Sequence, residues 1–287
     1  MNLENRTYIT ADIVRLPITH YEWLPLVNQD TCDCEPYLVC ASDSGNSWEN
    51  DYTSAWIKLF SNSDSYTFNL KKDGVLVDIQ PTAKSFINDS LAKYITLDWF
   101  EVFTNDGIGC YSIDIDYTIS GVTDNIFWGE YKLFEFSNFI VDKTVRLKSV
   151  FNSNQSIEGI DFTNTNIVDT FRFKGYFGDR QPHTEIDNLI YSNRESKKVT
   201  RENINKYSLS TVPLKYNGYI DRIVDLYLLS ENELYISDFN ALNPTYNYLD
   251  LPVILSESPE IKYNDGIRKA SLTATFNDKI KNSRSYY

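Results

Sequence analysis

Ile113-Asp114-Ile115-Asp116-Tyr117-Thr118-Ile119 carries an apolar side chain at every second position. A period of two belongs to a strand with one face buried and the other wet. Strand-like runs recur on both sides: Tyr8 to Leu16, Ala55 to Phe60, Tyr66 to Leu70, Val75 to Ile79, Ile95 to Phe103, Ile126 to Phe134, Thr144 to Phe151 and Phe171 to Phe177. Between such runs sit Asp73-Gly74, Asp106-Gly107, Asn217-Gly218 and Asp265-Gly266, dipeptides that tolerate the positive φ angles of tight hairpins. The first hairpin reads as Tyr66 to Leu70, a reversal over Lys71-Lys72-Asp73-Gly74, then Val75 to Ile79. Pro81 ends it, because proline lacks the N–H that a ladder needs. The expected fold is mainly β, built as antiparallel β-sandwich domains with few short helices. The one helix expected is Tyr219 to Leu229, where Ile220, Ile223, Val224 and Leu228 share a face.

The polar run from Asn152 to Asn166 reads as a long loop or a crossing between domains. It sets the expected organisation: residues 1–50 an N-terminal arm and loop region, residues 51–155 a β-sandwich domain, and residues 156–287 a second β-rich domain with a short helix and a C-terminal arm. No repeat with a fixed period of some tens of residues is present.

At 287 residues the chain is long enough for a substantial core, and an aromatic share of 15% is far above that of a disordered chain. The formal charge of −13 argues against general nucleic-acid binding, which needs clustered Lys and Arg. The local group Lys197, Lys198 and Arg201 reads as a solvated strand or turn. No stretch approaches the ~18 uncharged apolar residues of a membrane-spanning helix. Met1 to Arg15 lacks the basic segment and apolar run of a secretory signal. The expectation is synthesis in a bacterial-type or host cytoplasm, with assembly able to carry the protein out of the cell, and cysteines that are reduced by default.

Residues able to carry chemistry are sparse. Cys32-Asp33-Cys34 resembles half of a thiolate metal site, but zinc requires four ligands, and only Cys40 and the isolated His20 lie near. Cys40 and Cys110 fall in strand-like runs, where a thiol packs as a small apolar group. His20 and His183 are the only histidines, and neither accompanies a nucleophile motif; His183, after Pro182, reads as a loop residue. Asp114 and Asp116 share one strand face, where solvation is the simpler reading and calcium ligation the other. Gly107-Ile108-Gly109 reads as a hairpin turn rather than a phosphate loop. Trp56, Trp99 and Trp128 lie within strand patterns and read as core; Trp48, in the Asp43 to Asp51 loop, is the better candidate for stacking on a sugar. No catalytic, cofactor-binding or metal-binding residue is assigned, and no cofactor is expected.

Three segments carry a resemblance. They are Phe171-Arg172-Phe173-Lys174-Gly175-Tyr176-Phe177-Gly178, then Asp225-Leu226-Tyr227-Leu228-Leu229-Ser230-Glu231-Asn232-Glu233-Leu234-Tyr235-Ile236-Ser237-Asp238, and the ending Ala274-Thr275-Phe276 to Lys281-Asn282-Ser283-Arg284-Ser285-Tyr286-Tyr287. They resemble segments of structural proteins from tailed bacteriophages of Bacteroidetes-type hosts, over roughly residues 126 to 287. The resemblance implies a non-enzymatic virion component of tail, baseplate or neck, whose β-rich body packs into a symmetric ring. Its partners would be other virion structural proteins and further copies of itself. It brings no catalytic motif, so no functional residue is carried over. Met1 to Arg6, the Gln29 to Asp51 loop and Lys279 to Tyr287 are the expected contact arms. The alternative function is a carbohydrate-binding adsorption module, which needs an exposed row of aromatic residues beside polar groups.

Overall fold

The structure is a computed structural model that describes residues 37–43, 46, 49–58, 65–88, 90–119, 121–137, 143–152, 156–157, 160–192, 194–215, 220, 223–228, 233–240, 248–264, 269–279 and 282–285. The expected strand Tyr8 to Leu16 and the turns Asn217-Gly218 and Asp265-Gly266 lie outside the described residues. In chain order the elements are β1 (Tyr37–Ala41), β2 (Tyr52–Lys58), β3 (Ser65–Lys72), β4 (Val75–Leu76), β5 (Lys84–Ser85), β6 (Ala92–Asp98), α1 (Trp99–Asp106), β7 (Gly109–Ile119), β8 (Val122–Glu135) and β9 (Thr144–Phe151). They continue with β10 (Ser156–Ile157), β11 (Ile160–Asp161), β12 (Ile167–Ile190), β13 (Ser196–Thr211), β14 (Leu214–Lys215), a π-helical segment (Ile223–Leu228), β15 (Glu233–Asp238), β16 (Leu251–Leu255), β17 (Glu260–Asn264), β18 (Lys269–Asp278) and β19 (Asn282–Ser285). The protein is mainly β, as its alternation implies.

One large sheet holds most strands, and six of them return to their start. β12 pairs with β13, β13 with β18, β18 with β16, β16 with β15, β15 with β9, and β9 with β12, all antiparallel. From this ring the sheet continues outward from β12 through β1, β8, β7 and β3. The β1–β8 pairing is parallel. β9, which precedes residue 155, pairs with β12 and β15, which follow it, so segments on both sides of the expected boundary share a sheet.

A smaller sheet, β2-β6-β5, packs against the large one through aromatic rings. Trp56 makes edge contacts with Phe151 at 5.6 Å and Phe162 at 5.4 Å, and Phe86 meets Phe162 at 5.3 Å. Phe162, only 1% exposed, anchors the polar stretch after β9 to the core. That stretch also carries the small β10–β11 hairpin. Trp99 packs on Tyr111 and Tyr131 and donates its indole N–H to Thr53 Oγ1 at 2.8 Å. Trp56, Trp99 and Trp128 are all core residues.

Four expectations change. The run Ile95 to Phe103 splits into β6 and α1, because the Asp98 carboxylate accepts from the Phe100 N–H and caps a helix with Glu101 in its first turn. That local cap outweighs the β-forming side chains. Asp106-Gly107 is therefore the end of a helix rather than a hairpin: Gly107 (φ 72°) donates to the Phe103 carbonyl, a C-terminal geometry that favours glycine. The Gly107-Ile108-Gly109 run likewise joins α1 to β7. Of the helix expected over Tyr219 to Leu229, Ile220 and Ile223–Leu228 are described and are π-helical, with Ile220 and Ile223 buried as that pattern implied. Finally, Val75 to Ile79 forms a strand only over Val75–Leu76. Asp73 (φ 49°) and Gly74 (φ 81°) make the expected turn.

Gly175 sits where β12 passes from pairing with β9 to pairing with β13. A Cβ there would lie 2.7 Å from the Ser210 carbonyl oxygen and 3.0 Å from the Phe173 ring. Gly175→Ala is expected to destabilise the fold by about 1–3 kcal/mol, read as a lower urea midpoint with an unchanged m-value.

Candidate functional site

The densest polar constellation lies across a row of four strands. Leu38 of β1 stands opposite Arg172 of β12, Arg172 opposite Arg146 of β9, and Arg146 opposite Ser237 of β15. Alternation turns both arginines to the same buried face, and like charges in directly opposed positions repel. Two aspartates from distant loops answer them. Asp51, just before β2, accepts from Arg172 Nε at 2.7 Å and Arg172 Nη2 at 2.9 Å, a two-point pairing that matches guanidinium geometry. Asp51 also accepts from the Cys40 backbone N–H at 2.8 Å, and its Oδ1 lies 3.7 Å from Arg146 Nη1.

Asp250, just before β16, takes Arg146 Nη2 at 2.5 Å and Lys148 Nζ at 2.7 Å. Its own N–H donates to Ser237 Oγ at 2.8 Å. Arg146 Nη1 donates to the Asn50 carbonyl at 3.0 Å, and Arg172 Nη1 donates to Thr144 Oγ1 at 3.1 Å. The Phe239 ring covers the pair, 4.6 Å from the Arg172 guanidinium and 5.9 Å from that of Arg146. Burial alone would pull the Arg172 guanidinium down, but Asp51 beside it holds it above its ordinary value. Burial likewise pushes Asp250 up, and Arg146 and Lys148 reverse this to leave it below the usual carboxylate range.

The cluster is closed rather than catalytic in form. Side chains of Asp51 and Arg146 are fully buried, and both aspartates are committed to cations. The one thiol within it, Cys40, donates to the Glu49 carbonyl and is pushed by burial up to about 12, so it remains protonated. What the arrangement does is hold six chain segments in register: β1, the loop before β2, β9, β12, β15 and the loop before β16.

Beside it, Asp169 of β12 accepts from the Ser54 N–H at 2.8 Å and from the Tyr227 hydroxyl at 2.7 Å, joining β2 and the π-helical segment to the large sheet. Asp238, only 1% exposed, accepts from the Asn240 N–H through Oδ1 at 2.9 Å. Its Oδ2 meets no partner among the described residues. Burial pushes this carboxyl up to about 6.

The residues singled out in the sequence are scattered. Cys32, Cys34, His20 and Trp48 lie outside the described residues. Cys110 is disulfide-bonded rather than reduced, while Cys40 is a free thiol. His183 lies in β12, paired with Ile204 of β13, rather than in a loop, because the β12–β13 ladder runs on past Pro182. Lys197, Lys198 and Arg201 belong to β13. Asp114 is buried and paired with Lys71 at 2.7 Å, whereas Asp116 is exposed and accepts from Asn69 and Asn125. Burial raises Asp114, with Lys71 opposing. Among the described residues no group of three or more His, Cys, Asp or Glu is placed to hold a metal ion. None of their helices is long and apolar enough to cross a membrane.

The Arg146–Asp51–Arg172–Asp250 constellation escaped the sequence reading. Its only local signal is a pair of arginines that each alternate with apolar residues, in Thr144-Val145-Arg146-Leu147 and Phe171-Arg172-Phe173. The sequence matches no protein-family model, and no curated protein is significantly similar to it.

Asp51→Asn leaves a fully buried guanidinium without its counter-charge, and is expected to cost about 3–5 kcal/mol in chemical denaturation. Asp238 gives a pH signature. Its folded-state pKa stands above the unfolded value, so its contribution is complete below about pH 4 and is lost as pH rises through about 6. Asp238→Asn should flatten stability against pH across that window by on the order of 2–3 kcal/mol, measured as denaturation midpoints at stepped pH.

Proposed function

We propose that this chain is a non-enzymatic structural protein of a tailed-phage virion, a tail, baseplate or neck component that assembles with copies of itself into a symmetric ring. The observation that carries this reading is the β12–β13 hairpin. β12 pairs with β9 only as far as Lys174, and then continues against β13 to Ile190. At its tip, Ile190 is 72% exposed and Tyr191 45% exposed. A long paired ribbon whose tip presents Ile190 and Tyr191 beside the exposed Arg194 and Glu195 is suited to reach a neighbouring subunit, since interfaces combine aromatic side chains with a polar rim. The C-terminal arm joins this ribbon: β19 pairs with Thr200 to Asn203 of β13, on the far side from β12. The charged groups that a chemical reading would draw on, Asp51, Arg146 and Arg172, are shut inside the sheet.

The glycan-binding alternative calls for a presented aromatic row, and the burial of Trp56, Trp99 and Trp128 removes the three tryptophans in strand patterns from that role. Quantitative mass spectrometry of purified particles tests the proposal. The protein is expected at a fixed stoichiometry with other virion components. Its absence from particles, together with binding on a glycan array, would overturn the assembly reading in favour of the adsorption module.

A further inference from the structure

Cys110, the second residue of β7, is disulfide-bonded. The chain has four cysteines, so the partner in the same chain is Cys32, Cys34 or Cys40. Cys40 is excluded: it is a free thiol buried in β1, and it donates to the Glu49 carbonyl at 3.2 Å. That leaves the Cys32-Asp33-Cys34 pair, for which the buried arginine cluster has no use.

Strand register brings this pair within reach. Leu38 of β1 stands beside Lys132 of β8, and Lys132 beside Cys110 of β7. The three form one row across the sheet, and each is half-buried. Two strand spacings, about 10 Å, separate Leu38 from Cys110. The chain leading back from Leu38 reaches at most ~13 Å by Cys34 and ~20 Å by Cys32. A disulfide itself spans about 5.5–6 Å between Cα atoms. Either cysteine can therefore meet Cys110 across β8.

We propose that Cys110 is the fixed half of a redox-sensitive staple, whose other half is the Cys32-Asp33-Cys34 pair and which ties the segment before β1 to β7. It does not depend on the virion reading, which could hold or fail without it. A reducing cytoplasm keeps such a staple open, and oxidising surroundings close it. Closure consumes a small disulfide such as oxidised glutathione: two protein thiols are oxidised to the bond, and the small disulfide is reduced to two thiols.

Two cysteines compete for one, so a thiol is always left over next to the bond. That thiol makes the staple exchangeable. As a thiolate it attacks the sulfur of its neighbour, a Cys32–Cys34 bond forms, and Cys110 leaves as a thiolate that takes up a proton, with no net oxidation. Asp33 between the two cysteines and Glu35 just after them disfavour the attacking thiolate, so exchange quickens as pH rises.

The test uses the full-length chain, oxidised with glutathione disulfide and then acidified so that thiols cannot reshuffle. Non-reducing peptide mapping by mass spectrometry is expected to join the Cys110 peptide to the one that holds Cys32 and Cys34. Cys32→Ser and Cys34→Ser should each keep a bond to Cys110, and the double variant should lose it. At about pH 8, near the ordinary thiol range, iodoacetamide should trap Cys110 in wild type but in neither single variant. Dithiothreitol should lower the urea midpoint of wild type and leave that of Cys110→Ala unchanged, with far-UV circular dichroism confirming that both are folded. A bond from Cys110 to Cys40 overturns the proposal, as does a bond to a second molecule or a Cys110 that stays fully alkylated after oxidation. Equal labelling of Cys110 in wild type and both single variants overturns the exchange step.

Discussion

Two arginines face one another across adjacent antiparallel strands inside the protein, and the arrangement around them depends on neutralising that contact. Arg146 and Arg172 are directly opposed in the β9–β12 ladder, both with side chains removed from water. Left alone, the pair would combine the desolvation of two guanidinium groups with their mutual repulsion. The solution brings in carboxylates from far away in sequence, Asp51 at a separation of 121 residues from Arg172 and Asp250 at 104 from Arg146. Each must arrive on a loop whose own position is fixed by backbone bonds. Asp51 is held on both sides, its N–H donating to the Cys40 carbonyl and its carbonyl accepting from Trp99. A charge requirement at the centre of the sheet therefore dictates where β2, α1 and β16 begin.

The same economy governs the sheet margins. A strand edge in a protein with stacked layers must be paired, covered or left open, and the choice at each edge is made by a few side chains. Thr170 and Asp169 close β2, and they do so from the strand that also carries Arg172. Gln80 closes one residue of β3 after β4 has stopped, its amide reproducing the donor and acceptor of a backbone unit. The six-stranded ring removes further edges altogether, since each member has a neighbour on both sides.

The ring and its outward extension also assign different mechanical parts to different lengths of chain. The extension, β1, β8, β7 and β3, joins the ring through β12, close to the arginine row. On the other side of that row, β12 leaves β9 and becomes one arm of the β12–β13 ribbon. β12 thus belongs to the ring, the extension and the ribbon together, which accounts for its length of 24 residues. An assembly protein built this way would keep its contact surfaces on a rigid support, because the strand that presents the ribbon is pinned by buried ion pairs at its base.

Much of the fold was readable from residue order. Period-two alternation located Thr144–Phe151 to the residue, Asp73-Gly74 announced its turn, and the apolar pattern around Trp56, Trp99 and Trp128 placed all three in the core. These are local properties, set by which face of a strand a side chain occupies or by which φ a residue tolerates. The helix at Trp99 was also written locally, in Asp98 and Glu101, but β-forming neighbours masked it. The rest was decided by pairing at a distance. Nothing near Arg146 or Arg172 names Asp51 or Asp250 as partner, and nothing in β12 states that it changes neighbours at Gly175. Alternation tells a strand which side faces inward; only the folded sheet determines which strand lies next to it, which charges meet there, and where the pairing stops.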